Sequence, residues 1–124
     1  MVKLYITLGC ILAFLGVALG AFGAHALKSR LAENMFKIFE TGVQYHMIHA
    51  LALVFVGIIA HWLNDSLLLN WSGRLFAIGI LLFSGSLYVL SVSGIKALGA
   101  ITPFGGLAFL AGWILLAIAA FKHL

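Results

Sequence analysis

Little of this chain is charged: Asp, Glu, Lys and Arg make up 8% of its 124 residues, and only three of them are acidic. Those three, Glu33, Glu40 and Asp65, lie in or beside segments that separate long apolar runs. No pair of carboxylates therefore stands inside a run for acid–base work, and no serine or cysteine accompanies both a base and an orienting acid. These absences argue against an enzyme, and no catalytic residue or cofactor is expected. Cysteine occurs once, as Cys10, which excludes an intrachain disulfide and any CxxC motif. HExxH is missing too, so no sequence signature marks a metal site. The net charge of +4 comes from dispersed basic residues that assemble no face for nucleic acid.

What the chain does contain is apolar: 65% of the residues are hydrophobic and the mean hydropathy is +1.22. A water-soluble domain of this size cannot hide that much apolar surface, so the solvent and first partner is the lipid bilayer. Charge-free runs extend over Leu4 to Ala24, Gly42 to Leu63, Leu75 to Ile95 and Ala97 to Phe121, each about the length needed to cross. The first run follows Lys3 like a secretory signal, but its apolar part is too long for one, and it counts as the first membrane helix. The expected fold is an all-α integral membrane protein. It is an antiparallel bundle of four transmembrane helices at about 4–24, 42–63, 73–94 and 103–121, forming a single membrane domain over 1–124.

The connections carry the local signals. Residues 28–41 keep Leu31, Met35, Ile38 and Phe39 at i, i+4, i+7 and i+8 among charges, which predicts an amphipathic interfacial segment between the first two helices. Glu33 and Lys37 are spaced for an i,i+4 pair. Thr102 before Pro103 has the form of an N-cap followed by proline in the first turn. Trp62 and Trp71 bracket the second connection and share a side with Tyr5, marking one membrane interface; His61 and His123 lie there as boundary residues. Lys28, Arg30, Lys37 and Lys96 on one side oppose Lys3, Arg74 and Lys122 on the other, which predicts cytoplasmic first and third connections with both termini outside.

Small residues predict how the helices meet, because close backbone approach drives association in lipid. Gly9, Ala13, Gly16, Gly20 and Gly23 stripe the first helix, while Gly105, Ala108 and Gly112 stripe the fourth. Intramolecular packing is the favoured use of these stripes, and a homo-oligomer seam or an unidentified membrane-complex partner is the other. On the second helix Gly42, His46, His49, Ala50, Leu53, Gly57 and Ala60 share one face, which must look into the bundle because polar side chains are costly in lipid. The third helix brings Ser84, Tyr88 and Ser91, and the first ends in His25. The topology carries His25, Gln44, Tyr45, His46, His49, Ser84, Tyr88, Ser91 and Thr102 toward one leaflet. Three readings of that polar cluster stay open. It is an interhelical hydrogen-bond network worth roughly 0.6 to 2 kcal/mol per bond, a site for protons or a small solute in a transporter or channel, or a metal or haem site using His25, His46 and His49.

Four motifs then have a family look: Gly20-Ala21-Phe22-Gly23-Ala24-His25; Tyr45-His46-Met47-Ile48-His49 running into Ala50-Leu51-Ala52-Leu53; Phe83-Ser84-Gly85-Ser86-Leu87-Tyr88; and Thr102-Pro103-Phe104-Gly105-Gly106 with Gly112-Trp113. Together and in order they resemble the domain-of-unknown-function 423 family of small bacterial inner-membrane proteins, related to animal transmembrane protein 256. The resemblance implies a four-helix membrane protein without an assigned activity. It also implies that His46 stands where the family pattern often has glutamine, which hydrogen-bonds as His does but is a poor transition-metal ligand. That favours the network reading at His46 and leaves His25 and His49 as the more interesting pair. The role that follows is a non-enzymatic accessory or structural component.

Overall fold

A computed structural model describes residues 1–63 and 66–124 of the chain. Asn64 and Asp65, which the sequence reading puts in the second connection, lie outside the described residues. Four helices, Val2–Leu27, Glu33–Leu63, Leu67–Ser93 and Lys96–His123, are each long and apolar enough to cross a membrane. Short connections make consecutive helices antiparallel.

The second helix differs most from expectation. Residues 28–41 do not form a separate interfacial segment: 28–32 make the turn, and from Glu33 the chain is one helix of 31 residues. At 1.5 Å per residue it runs about 46 Å, longer than the hydrocarbon core, so its charged first turns project beyond it. The apolar stripe there is used inside the bundle, since Phe39 is buried and its ring lies 5.4 Å from that of Tyr88. Glu33 and Lys37 approach at 4.0 Å with both side chains largely exposed, an arrangement that contributes little.

Two helices contain a π-helical turn, Leu19–Gly23 in the first and Ile80–Ser84 in the third. Such a turn inserts a residue and rotates the following face. Both flank the same level of the second helix: Gly20 and Gly23 face Val43 and Phe39, and Ser84 reaches Gly42 from the other side. The third helix stops at Gly94, whose φ of +74° is easy only for glycine, with its N–H returning to the Leu90 carbonyl at 2.8 Å. A 3₁₀ turn, Lys96–Ala100, then leads into Thr102–His123. Thr102 is not a side-chain cap there; a capping hydroxyl appears instead at Ser66, which accepts from the Leu69 N–H.

Glycines set the close seams. Along the first two helices Gly9, Gly16, Gly20 and Gly23 meet Ala50 and Val54, Met47, Val43, and Phe39 in turn; a Cβ on Gly9 would lie 2.9 Å from the Ala50 carbonyl oxygen. Ala13 shares the helix face of these glycines. It is half-buried at the edge of the glycine face and borders a shallow recess with Cys10, Phe14 and Val17. Gly105 lets the fourth helix lie against the backbone of Phe83, and Gly112 faces the Phe76 ring. The second and third helices are the most buried, the first pairs mainly with the second and the fourth with the third, while the backbones of the second and fourth stay apart. The apolar core, including Leu53, Val56, Leu69 and Phe76, sits mainly toward the end that carries the termini. Tyr5, expected at an interface, is in that core, because Gly73 makes room for its ring and Asn70 takes its hydroxyl.

Candidate functional site

The buried histidines lie one helical turn apart on the second helix but face different neighbours. His46 is 4% exposed; its Nε2 lies 2.7 Å from the Leu12 carbonyl oxygen and its Nδ1 2.8 Å from the Tyr88 hydroxyl. A carbonyl only accepts, so Nε2 carries a proton and donates to it; in the neutral ring Tyr88 donates to Nδ1. One imidazole thus ties the first, second and third helices together.

His49 is 3% exposed and ties the second helix to the fourth. Its Nδ1 lies 2.7 Å from the Tyr45 carbonyl oxygen, and the Trp113 indole N–H donates to its Nε2 at 3.0 Å. An indole N–H can only donate, so Nε2 is a bare acceptor and the single ring proton sits on Nδ1. The ring stacks on Phe109 at a centroid distance of 3.5 Å and an interplanar angle of 8°, with Phe76 and Trp113 around it. Aromatic rings therefore span the gap that the second and fourth helices leave between their backbones.

The other expected residues do not gather into one cluster. Ser84 donates to the Gly42 carbonyl at 2.7 Å, and Ser91 folds back onto the Tyr88 carbonyl at 2.9 Å. Thr102 pairs with Ser86 at 2.6 Å, joining the third and fourth helices away from both histidines. His25, in the last turns of the first helix, and Gln44, which points away from the inward face, are both exposed. Gln44 and Glu40 instead border a small recess beside the π-turn of the first helix. Tyr45 is 40% exposed and lines a groove. Among the described residues no three His, Cys, Asp or Glu side chains come together as a metal-ligand group.

Some partners escaped the sequence reading. Ser72 is fully buried and donates to the Gly112 carbonyl at 2.8 Å, and Tyr5 donates to the carbonyl and side-chain oxygens of Asn70 at 2.7 and 2.6 Å. Both stand toward the end with the termini, so polar pairing is not confined to one leaflet. A lone serine in an apolar run was the available signal for Ser72. Nothing in spacing pointed to Trp113 as the partner of His49.

Comparison with known proteins places these features in a wider set. A family model described as "Protein of unknown function (DUF423)" matches residues 19–106. The chain is 50% identical to UPF0382 membrane protein YwdK of Bacillus subtilis over 122 residues, covering 98% of this chain and 99% of that one. It is 45% and 46% identical to UPF0382 membrane proteins of Staphylococcus haemolyticus and Staphylococcus aureus over 120 residues, with 97% of each chain covered. No solved structure matches it.

Proposed function

Because the chain belongs to the DUF423 family of bacterial membrane proteins, whose description assigns no activity, we propose from its own side chains that it is a non-enzymatic accessory or structural component. The observation that carries this reading is the commitment of all four ring nitrogens of His46 and His49 to named partners. A general base or metal ligand needs a free lone pair aimed at a reacting atom, and in this arrangement neither imidazole offers one. The carboxylates Glu33 and Glu40 are exposed on the projecting turns of the second helix, far from the buried imidazoles in sequence register and unable to orient them. The polar side chains act as register pins: each fixes the depth at which two helices meet, and hydrogen bonds of this kind contribute about 0.6 kcal/mol each on average in membranes. The bundle then presents a fixed apolar surface to lipid or to a membrane partner.

Thermal unfolding of the detergent-solubilised protein tests the reading. His49→Ala is expected to lower the melting temperature, and liposomes containing the unaltered protein are expected to show no pH-dependent flux. A His49→Ala protein of unchanged stability that had lost a transport or redox activity would overturn the proposal.

A further inference from the structure

The groove between the second and fourth helices goes beyond this structural role. It encloses about 670 Å³ over the buried, stacked pair of His49 and Phe109, and Tyr45, Phe83, Leu107 and Trp113 border it. From Pro103 to Trp113 it follows roughly 15 Å of the fourth helix, the hydrocarbon depth of one leaflet. Spread over that length, the volume gives a cross-section of about 45 Å². A helix with its side chains is about 10 Å across and needs roughly 80 Å², so a neighbouring helix does not enter. An extended hydrocarbon chain is about 5 Å across at carbon contact distance, and one or two chains fit. Gly106 keeps the space open: a Cβ there would meet Phe83 only at 3.9 Å, so helix packing does not require glycine at this point.

The polarity of the groove is uneven. His49 and Trp113 spend their polar atoms on each other and on the Tyr45 carbonyl, so the deep end offers only apolar contact. The Tyr45 hydroxyl, by contrast, has no hydrogen-bond partner among the described residues, and Tyr45 is 40% exposed, so the hydroxyl meets whatever surrounds the bundle. Tyr45 stands five residues, about 7.5 Å, beyond Glu40, and helical side chains lean toward the N-terminus, which returns the hydroxyl to the polar boundary. The acceptors at that depth of a bilayer are the ester carbonyls of phospholipids, and a hydroxyl left without one is costly in a water-poor site. Beyond the boundary on this side Lys28, Arg30, Lys37 and Lys96 are exposed against Glu33 and Glu40, an excess of positive charge that draws anionic headgroups.

We propose that this groove is a binding site for one anionic phospholipid of the leaflet on the side of the first connection. An acyl chain lies along the groove toward Trp113, and the ester carbonyl at its head accepts from the Tyr45 hydroxyl. The chain contributes apolar contact that any lipid offers, so selection comes from the ester and the headgroup. The order of these groups along a phospholipid matches the order of donor and apolar wall along the groove, and both span one leaflet.

Fluorescence of Trp113 tests the proposal. Trp62→Phe with Trp71→Phe leaves Trp113 as the one indole, and both replaced side chains are exposed at the far end of the bundle. This protein, one copy per nanodisc of phosphatidylcholine, receives increasing fractions of phosphatidylglycerol brominated on its acyl chains. Contact without selection quenches in proportion to the brominated fraction. Expected instead is quenching that saturates while phosphatidylglycerol is still a minor component. Unbrominated phosphatidylglycerol should compete about fivefold better with ester than with ether linkages, the size of one lost hydrogen bond, and Tyr45→Phe should abolish that difference. Gly106→Leu, which fills the groove, is expected to return quenching to proportionality while the melting temperature holds. Should Gly106→Leu unfold, Tyr45→Phe decides, since its hydroxyl has no partner among the described residues to lose. Proportional quenching with the groove unaltered, or equal competition by ester and ether lipids, would overturn the proposal. So would a Trp113 that no brominated lipid quenches, the result expected if a second copy or another protein covered the groove.

Discussion

His46 accepts from the Tyr88 hydroxyl at 2.8 Å while its other ring nitrogen donates to the Leu12 carbonyl at 2.7 Å, so the first and third helices are coupled through one side chain of the second. Breaking either bond leaves a buried polar group without a partner. His46→Leu is expected to destabilise the protein by about 1–3 kcal/mol, because both the Tyr88 hydroxyl and an acceptor site on Leu12 lose their hydrogen bonds. Glutamine offers an amide N–H and a carbonyl oxygen, so His46→Gln should retain more than half of that stability. A double-mutant cycle of His46→Leu with Tyr88→Phe, followed by reversible denaturation in detergent, should give a coupling of about 0.6 to 2 kcal/mol. A coupling near zero would show that the pair does not pin the helices.

The partners of His49 define a tautomer. Nδ1 faces a carbonyl and Nε2 faces an indole N–H, so the ring proton resides on Nδ1. Nitrogen-15 NMR of histidine-labelled protein is expected to show His49 protonated at Nδ1 and His46, in its neutral form, protonated at Nε2. Trp113→Phe should remove the constraint on His49 and shift its ring resonances while leaving those of His46 in place. Equal behaviour of the two imidazoles would contradict the paired arrangement.

The four crossings are legible in the sequence because charge-free length is a local property. The inward direction of His46 and His49 follows from helical spacing in the same local way. Their partners do not, because partnership depends on how far each neighbour is rotated. The π-turn at Ile80–Ser84 shifts the face of the third helix by an amount that no composition signals, and on that face Ser84 bonds to the Gly42 carbonyl, Tyr88 reaches His46 and Ser91 turns back to the Tyr88 carbonyl. Tyr5 shows the same limit: near a terminus and beside Lys3 it reads as an interfacial anchor, yet the missing side chain at Gly73 admits its ring into the core. The continuity of Glu33–Leu63 was obscured by charge, since Lys37 and Glu40 look like a boundary although they only mark where the helix leaves the hydrocarbon.

Membrane orientation is set by basic residues near the helix ends. Lys28, Arg30, Lys37 and Lys96 are all exposed on the side of the first and third connections. We expect that side to be cytoplasmic, so a C-terminal alkaline phosphatase fusion should be active and a C-terminal green fluorescent protein fusion dark. Replacing Lys28 and Arg30 with glutamine should shift a measurable fraction of molecules to the opposite topology, because it reverses the four-to-three excess.

Glycines of similar appearance in the sequence should respond in opposite ways to the same added methyl group. At Gly57 a Cβ would lie 2.9 Å from the Ile6 backbone nitrogen and 3.1 Å from the Val2 carbonyl oxygen, so backbone would have to move against backbone. Gly57→Ala is therefore expected to destabilise by about 1–3 kcal/mol, the usual cost of overpacking, by forcing the first two helices apart. Gly85 follows the π-turn of the third helix, and nothing lies within 4 Å of a Cβ there. Gly85→Ala should be neutral or stabilising by up to about 1 kcal/mol, since alanine restricts the unfolded chain and favours the helix. Melting temperatures of the two variants in one detergent check both signs. Equal shifts would mean that the seam between the first two helices is looser than the backbone contacts at Gly57 require.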